Sequence, residues 1–400
     1  MFFQKMSVPV QSTVTISSFL GLDRRARGEL GSFREMENLT SDGYPTLTVR
    51  PRRGLAGRVE SPGGIAAKDA LIWVDGHTLY IGGVATELVL TEGSKQLIGM
   101  GNWLIVWPDK KYINTGNLSQ HGSLENRVQT QGQVTLSLCG AKGAALGDYL
   151  GSPLFFKEDC VERVYPSAAG AHQIVTVRCP GVRKGSGRSL QTVEGVLYYH
   201  GCGGVYAFDG SMPQRVSQAL GEEEYHGAVA GGADGKYYLS VLDAENQPQL
   251  LVYDVRQGLW HREDDLRAVG FAVNGGVLYA MTGAGDILAL KGGGTVQEEP
   301  VVWRAETGEL GLDSSEGKYL VRLSLRLRPE EGSTVRAAVS YDEGQTWQEQ
   351  GGVTGSGRLR DCVLHVRPRR CRRLRLRLYG VGGCRVYSLT AVYEKGSDGP

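Results

Sequence analysis

The stretch GGADGKYYLSVLDAENQPQLLVYDVRQGLWHRED, Gly231 to Asp264, decides how the chain is read. An apolar run meets the turn Asp234-Gly235, a Tyr-rich run follows, and two further runs lie beyond polar turns. Side chains alternate apolar and small or polar between the turns, as antiparallel strands require. The same plan recurs outward in ALIWVDGHTLYIGG (Ala70 to Gly83), QLIGMGNWLIVWPDKKYI (Gln96 to Ile113), GVLYYHGCGGVYAFDG (Gly195 to Gly210) and VGFAVNGGVLYAMTGAGDILAL (Val269 to Leu290). A more divergent copy lies in Ser152 to Gly181. Units of about 30–45 residues with four short strands are propeller blades, and about five to seven of them fill residues 55–298.

Tyr253 and Trp260, following the pair Gly231-Gly232, resemble the kelch repeat, in which the two aromatics pack between neighbouring sheets. KGGGTVQEEP, after Leu290, has the composition of a domain linker. Beyond it KYLVRLSLRLRP (Lys318 to Pro329), STVRAAVSYDEG, RDCVLHVRP, CRRLRLRLYG and CRVYSLTAVYE alternate with period two, which predicts a small β-sandwich over residues 299–400. Residues 1–54 remain as an extended N-terminal arm, with a turn or two of helix expected near Glu35 to Asn38. The fold class is therefore all-β, a β-propeller followed by a β-sandwich.

Composition excludes several classes. Lys+Arg 44 against Asp+Glu 43 leaves a net charge of +1, so no global field draws the chain to nucleic acid or an acidic surface. No run of apolar residues is long enough to span a bilayer, and MFFQKMSVPVQSTV lacks the core of a signal peptide, so membrane insertion is not expected and synthesis in a reducing cytoplasm is. Seven cysteines (Cys139, Cys160, Cys179, Cys202, Cys362, Cys371, Cys384) are scattered without metal-ligand spacing and read as buried free thiols.

SYDEGQTW, Ser340 to Trp347, has the Ser-x-Asp-x-Gly-x-Thr-Trp spacing of the Asp box found in sialidases and other propeller glycosidases. Its chemistry is that of a folding device: Asp342 and Thr346 bond within their own turn, Gly344 supplies positive φ, and Trp347 plugs the hairpin. A sialidase-like site would need an arginine cluster, a Tyr/Glu nucleophile pair and a general acid, and nothing marks such a set. The carboxylate runs Glu222 to Glu224 and Glu263 to Asp265 lack calcium-loop spacing and read as solvated charge. GVRKGSGRSL (Gly181 to Leu190) lacks the P-loop pattern and reads as a flexible connection between blades, with contact to an anionic partner as the alternative. His77 and His200 have no triad partner in the sequence. The chain is expected not to be an enzyme, with no catalytic, cofactor-binding or metal-ligating residues.

The arginines are the marked charge feature. In RPRRCRRLRLRL, Leu374, Leu376 and Leu378 share one strand face and Arg373, Arg375 and Arg377 the other; Arg322, Arg326 and Arg328 repeat this in VRLSLRLR. Paired in one sheet, the strands would present a basic face, either simply solvated or docked to an acidic protein or to packaged DNA. Arg50, Arg52 and Arg53 read either as anchors within the propeller or as contacts to a neighbouring subunit.

Phe19, Gly21 and Leu22, then Glu35 to Leu39, Tyr44-Pro45 and Arg50 to Arg53 resemble the opening of structural proteins of tailed bacteriophages and prophages. Leu197 to Ser217 is similar to a blade of the packaged-DNA stabilisation and tail-hub propellers of that group, and Trp303 to Asp398 to its C-terminal domain. The resemblance implies a virion component at the head-tail junction or tail, made in the bacterial host cytoplasm. It implies assembly with portal, adaptor or tail proteins, in a homo-oligomeric ring, beside packaged DNA, without cofactor. The alternative is an adhesin-like propeller that binds host-surface glycan, for which Tyr198, Tyr199, Tyr237 and Tyr238 are the candidates; sialidase-like hydrolysis ranks last.

Overall fold

The computed structural model describes residues 11–26, 28–124, 145–149, 152–165, 173–312 and 316–395; Cys139 and the Gly396 to Asp398 end of the C-terminal segment lie outside them. Among the described residues six antiparallel sheets follow one another as blades of a propeller. The first five run through residues 62–89, 96–123, 145–178, 191–215 and 226–262, each a four-stranded meander. The sixth takes Ala268–Asn274, Val277–Thr282 and Asp286–Ala289 from the end of the propeller sequence and Gly54–Arg58 from its start. That pairing staples the two ends of the propeller together, which supplies the closure that a row of meanders lacks. Gly54 is required there, because a Cβ at this position would lie 1.3 Å from the Gly293 carbonyl oxygen.

The sandwich has a seven-stranded and a five-stranded sheet. Its first sheet centres on Lys318–Pro329, paired with Cys384–Lys395 on one side and Arg360–His365 on the other. Its second runs Phe33–Glu37, Val302–Thr307, Arg375–Val381, Thr334–Ser340, Gln348–Thr354. Leu323, Leu325 and Leu327 from the first and Leu374, Leu376 and Leu378 from the second are buried in one core, as period-two alternation requires.

The expected N-terminal arm is not separate. Gln11–Ile16 pairs along Cys384–Lys395, Leu47–Val49 joins its far end, and Phe33–Glu37 pairs with Val302–Thr307. These strands carry Val14, Ile16, Phe33, Met36, Leu47 and Val49 into the sandwich core, and that burial is what fixes them. The helical turn expected near Glu35 is a strand as well. Phe33 and Met36 are both buried three residues apart because the register shifts by one residue between Phe33 and Glu35, and a β-bulge can imitate helical spacing in this way. The linker after Leu290 is likewise tied down, with Val296–Gln297 adding to the strand Gly54–Arg58.

The two domains share a core. Trp260, Tyr237, Leu239 and Leu251 of the fifth blade, with Tyr198 and Val205 of the fourth, belong to the same buried cluster as the sandwich leucines. Phe19, Leu22 and Phe33 belong to the same cluster. The cysteines depart from expectation: Cys160, Cys179 and Cys384 are buried, Cys362 and Cys371 are half-buried and Cys202 is exposed.

Candidate functional site

Arg50 and Arg53 resolve their two sequence readings in favour of internal anchors. Arg50 donates from Nε to Asn38 Oδ1 at 2.6 Å and from both terminal nitrogens to Glu298, at 2.7 and 2.8 Å. Arg53 donates to Glu263 at 2.8 Å and to Asp264 at 2.5 Å. Burial works against the charge of Arg53, yet Asp264 and Glu263 more than compensate and hold its guanidinium above the usual arginine range. Asn38 in turn donates to the Val302 carbonyl of the sandwich at 2.7 Å. The cluster thus knots the N-terminal segment, the link between blades five and six, the linker and the sandwich together. Glu263 and Asp264, read as solvated charge, are part of this knot; nothing local in their sequence names partners about 210 residues away. Arg52 is exposed and its Nε donates to the Glu298 carbonyl.

The two arginine strands do not form one basic face. They lie in opposite sheets, because each strand's leucine side is covered by the other's, which turns the arginines outward on opposite sides of the sandwich. Arg322, Arg326 and Arg328 are exposed on the first sheet and make no ion pair among the described residues. Arg373 and Arg377 are engaged on the second side, Arg373 with Glu309 at 2.5 Å and Arg377 with Glu306 at 2.8 Å. Arg377 also stacks 3.9 Å from the Trp347 ring centroid, and Arg375 is half-buried beside Gly344.

The Asp-box hairpin joins Thr334–Ser340 to Gln348–Thr354 and is built as its residue types require. The Ser340 hydroxyl donates to Asp342 at 2.8 Å and accepts from the Gly344 amide at 2.9 Å; Asp342 accepts from the Thr346 amide at 2.9 Å and from the Thr346 hydroxyl. Gly344 has φ +93°. The Thr346 hydroxyl and amide and the Ser340 hydroxyl hold the Asp342 carboxyl down at about 2. A depressed carboxyl pKa stabilises the fold above the unfolded value, so the hairpin should be fully tied above pH about 4 and loosen as pH falls through about 2. Carbon-detected NMR titration should find the Asp342 midpoint near 2, and Thr346→Ala should return it toward the ordinary carboxylate range.

Tyr198, Tyr199, Tyr237 and Tyr238 are all core, which removes them as a glycan-binding rim. The Tyr237 hydroxyl donates to the Ser189 carbonyl at 2.7 Å and Tyr199 to the Pro180 carbonyl at 2.6 Å, so both polar ends are spent internally. Tyr253 and Trp260 pack on each other at 5.0 Å, in keeping with their kelch-like spacing. The exposed aromatics among the described residues are Tyr44 at 38%, Tyr165 at 40%, and Trp103 at 39% with Trp107 at 47%, the last two on one face of the second blade. The alternation in WLIVW shows that they share a face, but not which face of the strand is covered.

GVRKGSGRSL is no loose loop. Ser186 and Ser189 are fully buried, Arg188 donates to the Val269 carbonyl at 2.9 Å, and the Ala230 amide donates to the Arg188 carbonyl at 2.9 Å. The Ser186 hydroxyl lies 3.1 Å from His200 Nδ1, a Ser–His pair that the sequence does not mark. Both residues are buried, and burial and nearby Arg183 lower the His200 pKa to about 4. No substrate reaches this hydroxyl, which instead accepts from the Ala228 amide at 3.3 Å. Among the described residues no group of three or more His, Cys, Asp or Glu is placed to hold a metal ion, and no helix is long and apolar enough to cross a membrane.

No family model and no curated sequence matches the chain. Solved structures similar to it include an exo-β-1,3-galactanase from Phanerochaete chrysosporium, at 8% identity and TM-score 0.31, covering 76% of this chain and 97% of that one. Another is BBS1N in complex with ARL6DN, at 12% identity and TM-score 0.32, covering 69% and 95%. Hsv2 from Kluyveromyces lactis stands at 9% and 0.31, covering 56% and 70%. These similarities carry no substrate or partner to this chain, but they correct one expectation. The sequence reading held that the chain is not an enzyme; glycoside hydrolases are among the structures it is similar to, and that exclusion is withdrawn.

Proposed function

We propose that this protein is a structural component of a tailed-bacteriophage or prophage virion, placed at the head-tail junction or tail, where it works by protein-protein assembly. One observation carries the reading. The residues that resemble the opening of phage structural proteins (Phe19, Leu22, Met36, Asn38, Arg50, Arg53) are the ones that bind the sandwich to the propeller. A segment so used makes a single rigid body out of two domains, and a rigid body presenting fixed surfaces suits a closed ring of identical subunits meeting portal, adaptor or tail proteins.

The surface to test first is the exposed face carrying Arg322, Arg326 and Arg328. Reversal of Arg373 and Arg377 would set Glu against Glu306 and Glu309 and disturb the fold itself, whereas the first face has no such partner. The variant Arg322→Glu, Arg326→Glu, Arg328→Glu is expected to fold normally by circular dichroism yet enter particles about tenfold less than wild type. Equal incorporation would remove this face from the assembly contacts.

A second reading, host-surface glycan binding, is favoured by Trp103 and Trp107, which are half-exposed on one strand face although Trp103 packs on Tyr112 and Lys110 lies 6.0 Å from the Trp107 ring centroid. It requires measurable saccharide affinity that Trp103→Ala and Trp107→Ala abolish.

A further inference from the structure

The outer strand of a propeller blade is an open sheet edge, ready to pair with another chain unless it is short, charged, bulged or covered. Most blades here carry one of these devices. Val84–Val89 has Glu87 exposed near its centre, and its pairing slips between Thr78 and Tyr80. Asn117–Ser123 is polar and bulged opposite Ile113 and Asn114. Gln214–Arg215 and Val296–Gln297, outermost in the fourth and sixth blades, are 2 residues each. Leu259–Arg262 is covered by the N-terminal segment, whose Leu22 and Asn38 amides donate to the Trp260 and Glu263 carbonyls.

Gln173–Arg178, the outer strand of the third blade, has none of them. Its sequence QIVTVR holds no Gly, Pro or carboxylate and no charge before Arg178. Its register with Cys160–Tyr165 is unbroken, and no strand among the described residues pairs with its other side. Every side chain but that of Ile174 is exposed, Val175 and Val177 at 37% each. The Cys179 amide donates to the Asp159 carbonyl at 3.2 Å, and Cys179 stands opposite Asp159 in this register. Alternation from that bond turns the backbone N–H and C=O of Val175 and Val177 toward Cys160–Tyr165, and those of Ile174, Thr176 and Arg178 toward the open edge.

We propose that this edge pairs antiparallel with the same edge of a second copy of the chain, about a two-fold axis at Thr176, so that two blades become one continuous sheet. A two-fold axis normal to the sheet sets residues of the same face opposite one another, so it must pass through a residue and not between two. With the axis at Thr176, Val175 meets Val177 of the partner subunit in the closely spaced pairs, Thr176 meets its own copy, and Ile174 lies along the aliphatic stem of Arg178. The two Arg178 side chains stay apart. An axis at Val175 would set Gln173 against Val177 and Ile174 against Thr176, a poorer match. A foreign strand would have to bring the alternation and charge spacing that this strand already supplies to itself, which favours a second copy as the occupant. The inference does not rest on the virion reading.

Sedimentation velocity of the purified full-length protein, from micromolar to hundreds of micromolar, tests it. A reversible monomer–dimer equilibrium is expected. Thr176→Lys places two ammonium groups opposite each other at the axis and is expected to raise the dimer dissociation constant at least about tenfold. Position 176 is exposed, so the variant should keep the wild-type circular dichroism. Thr176→Val keeps a β-branched side chain there and is expected to dimerise as wild type does. A protein that stays monomeric throughout overturns the proposal. So does a dimer that Thr176→Lys leaves intact, which would form through another surface, or one that Thr176→Val abolishes as fully as Thr176→Lys.

Discussion

Arg53→Gln is expected to lower the free energy of unfolding by about 3–5 kcal/mol, because it leaves the buried Glu263 carboxylate without its cation and Asp264 with only the more distant Arg50. The Glu263 side chain is 7% exposed and that of Asp264 is 13%, so water cannot take over what the guanidinium supplies. Arg50 reaches Asp264 only at 3.4 Å while holding Glu298 in a bidentate pair, which limits what it can offer in exchange. Chemical denaturation at neutral pH checks this through the midpoint at unchanged slope. A loss below about 1 kcal/mol would place Arg53 with ordinary surface ion pairs and remove the buried knot as the joint between domains.

Trp260→Ala carries the other large effect, about 3–5 kcal/mol for truncating a large buried aromatic. The side chain is 1% exposed, packs on Tyr253 and donates from Nε1 to the Val216 carbonyl at 2.8 Å. Its backbone carbonyl accepts from the Leu22 amide at 2.6 Å, so the cavity opens where the fifth blade meets the N-terminal segment. Thermal unfolding should show a markedly lower Tm for Trp260→Ala. Trp107→Ala, at 47% exposure, should stay within about 0.5 kcal/mol of wild type. Similar shifts for the two would contradict a shared core between propeller and sandwich.

What the sequence made legible is what neighbouring residues decide among themselves. The alternation of Leu323, Leu325 and Leu327 gave the buried face of a strand, the Asp-Gly and Gly-Gly turns gave the hairpins of the blades, and the Asp box closes its bonds within seven residues. Long-range choices were not legible in the same way. Nothing in GLAGR shows that Gly54–Arg58 pairs with Asp286–Ala289, since strand pairing depends on partners and registers that a local pattern leaves open. Assigning Gln11–Ile16 to the sandwich has the same obstacle, as its partner is Cys384–Lys395. The single basic face expected of the arginine strands fails for a related reason: alternation tells that Arg322 and Arg377 face away from leucines, but both one sheet and two facing sheets satisfy it. At the candidate site, the Asp box was visible in SYDEGQTW, whereas nothing near Arg53 shows that Glu263 and Asp264 lie against it.

Peptide mass spectrometry of purified phage particles induced from the source strain, scaled to the major capsid protein, bears on the function most directly. The virion reading expects this protein in intact particles at a few to about a dozen copies, as a closed ring near the portal or tail would give. Its absence from particles that are otherwise complete would contradict a structural role in the virion and bring glycan binding through Trp103 and Trp107 forward in its place.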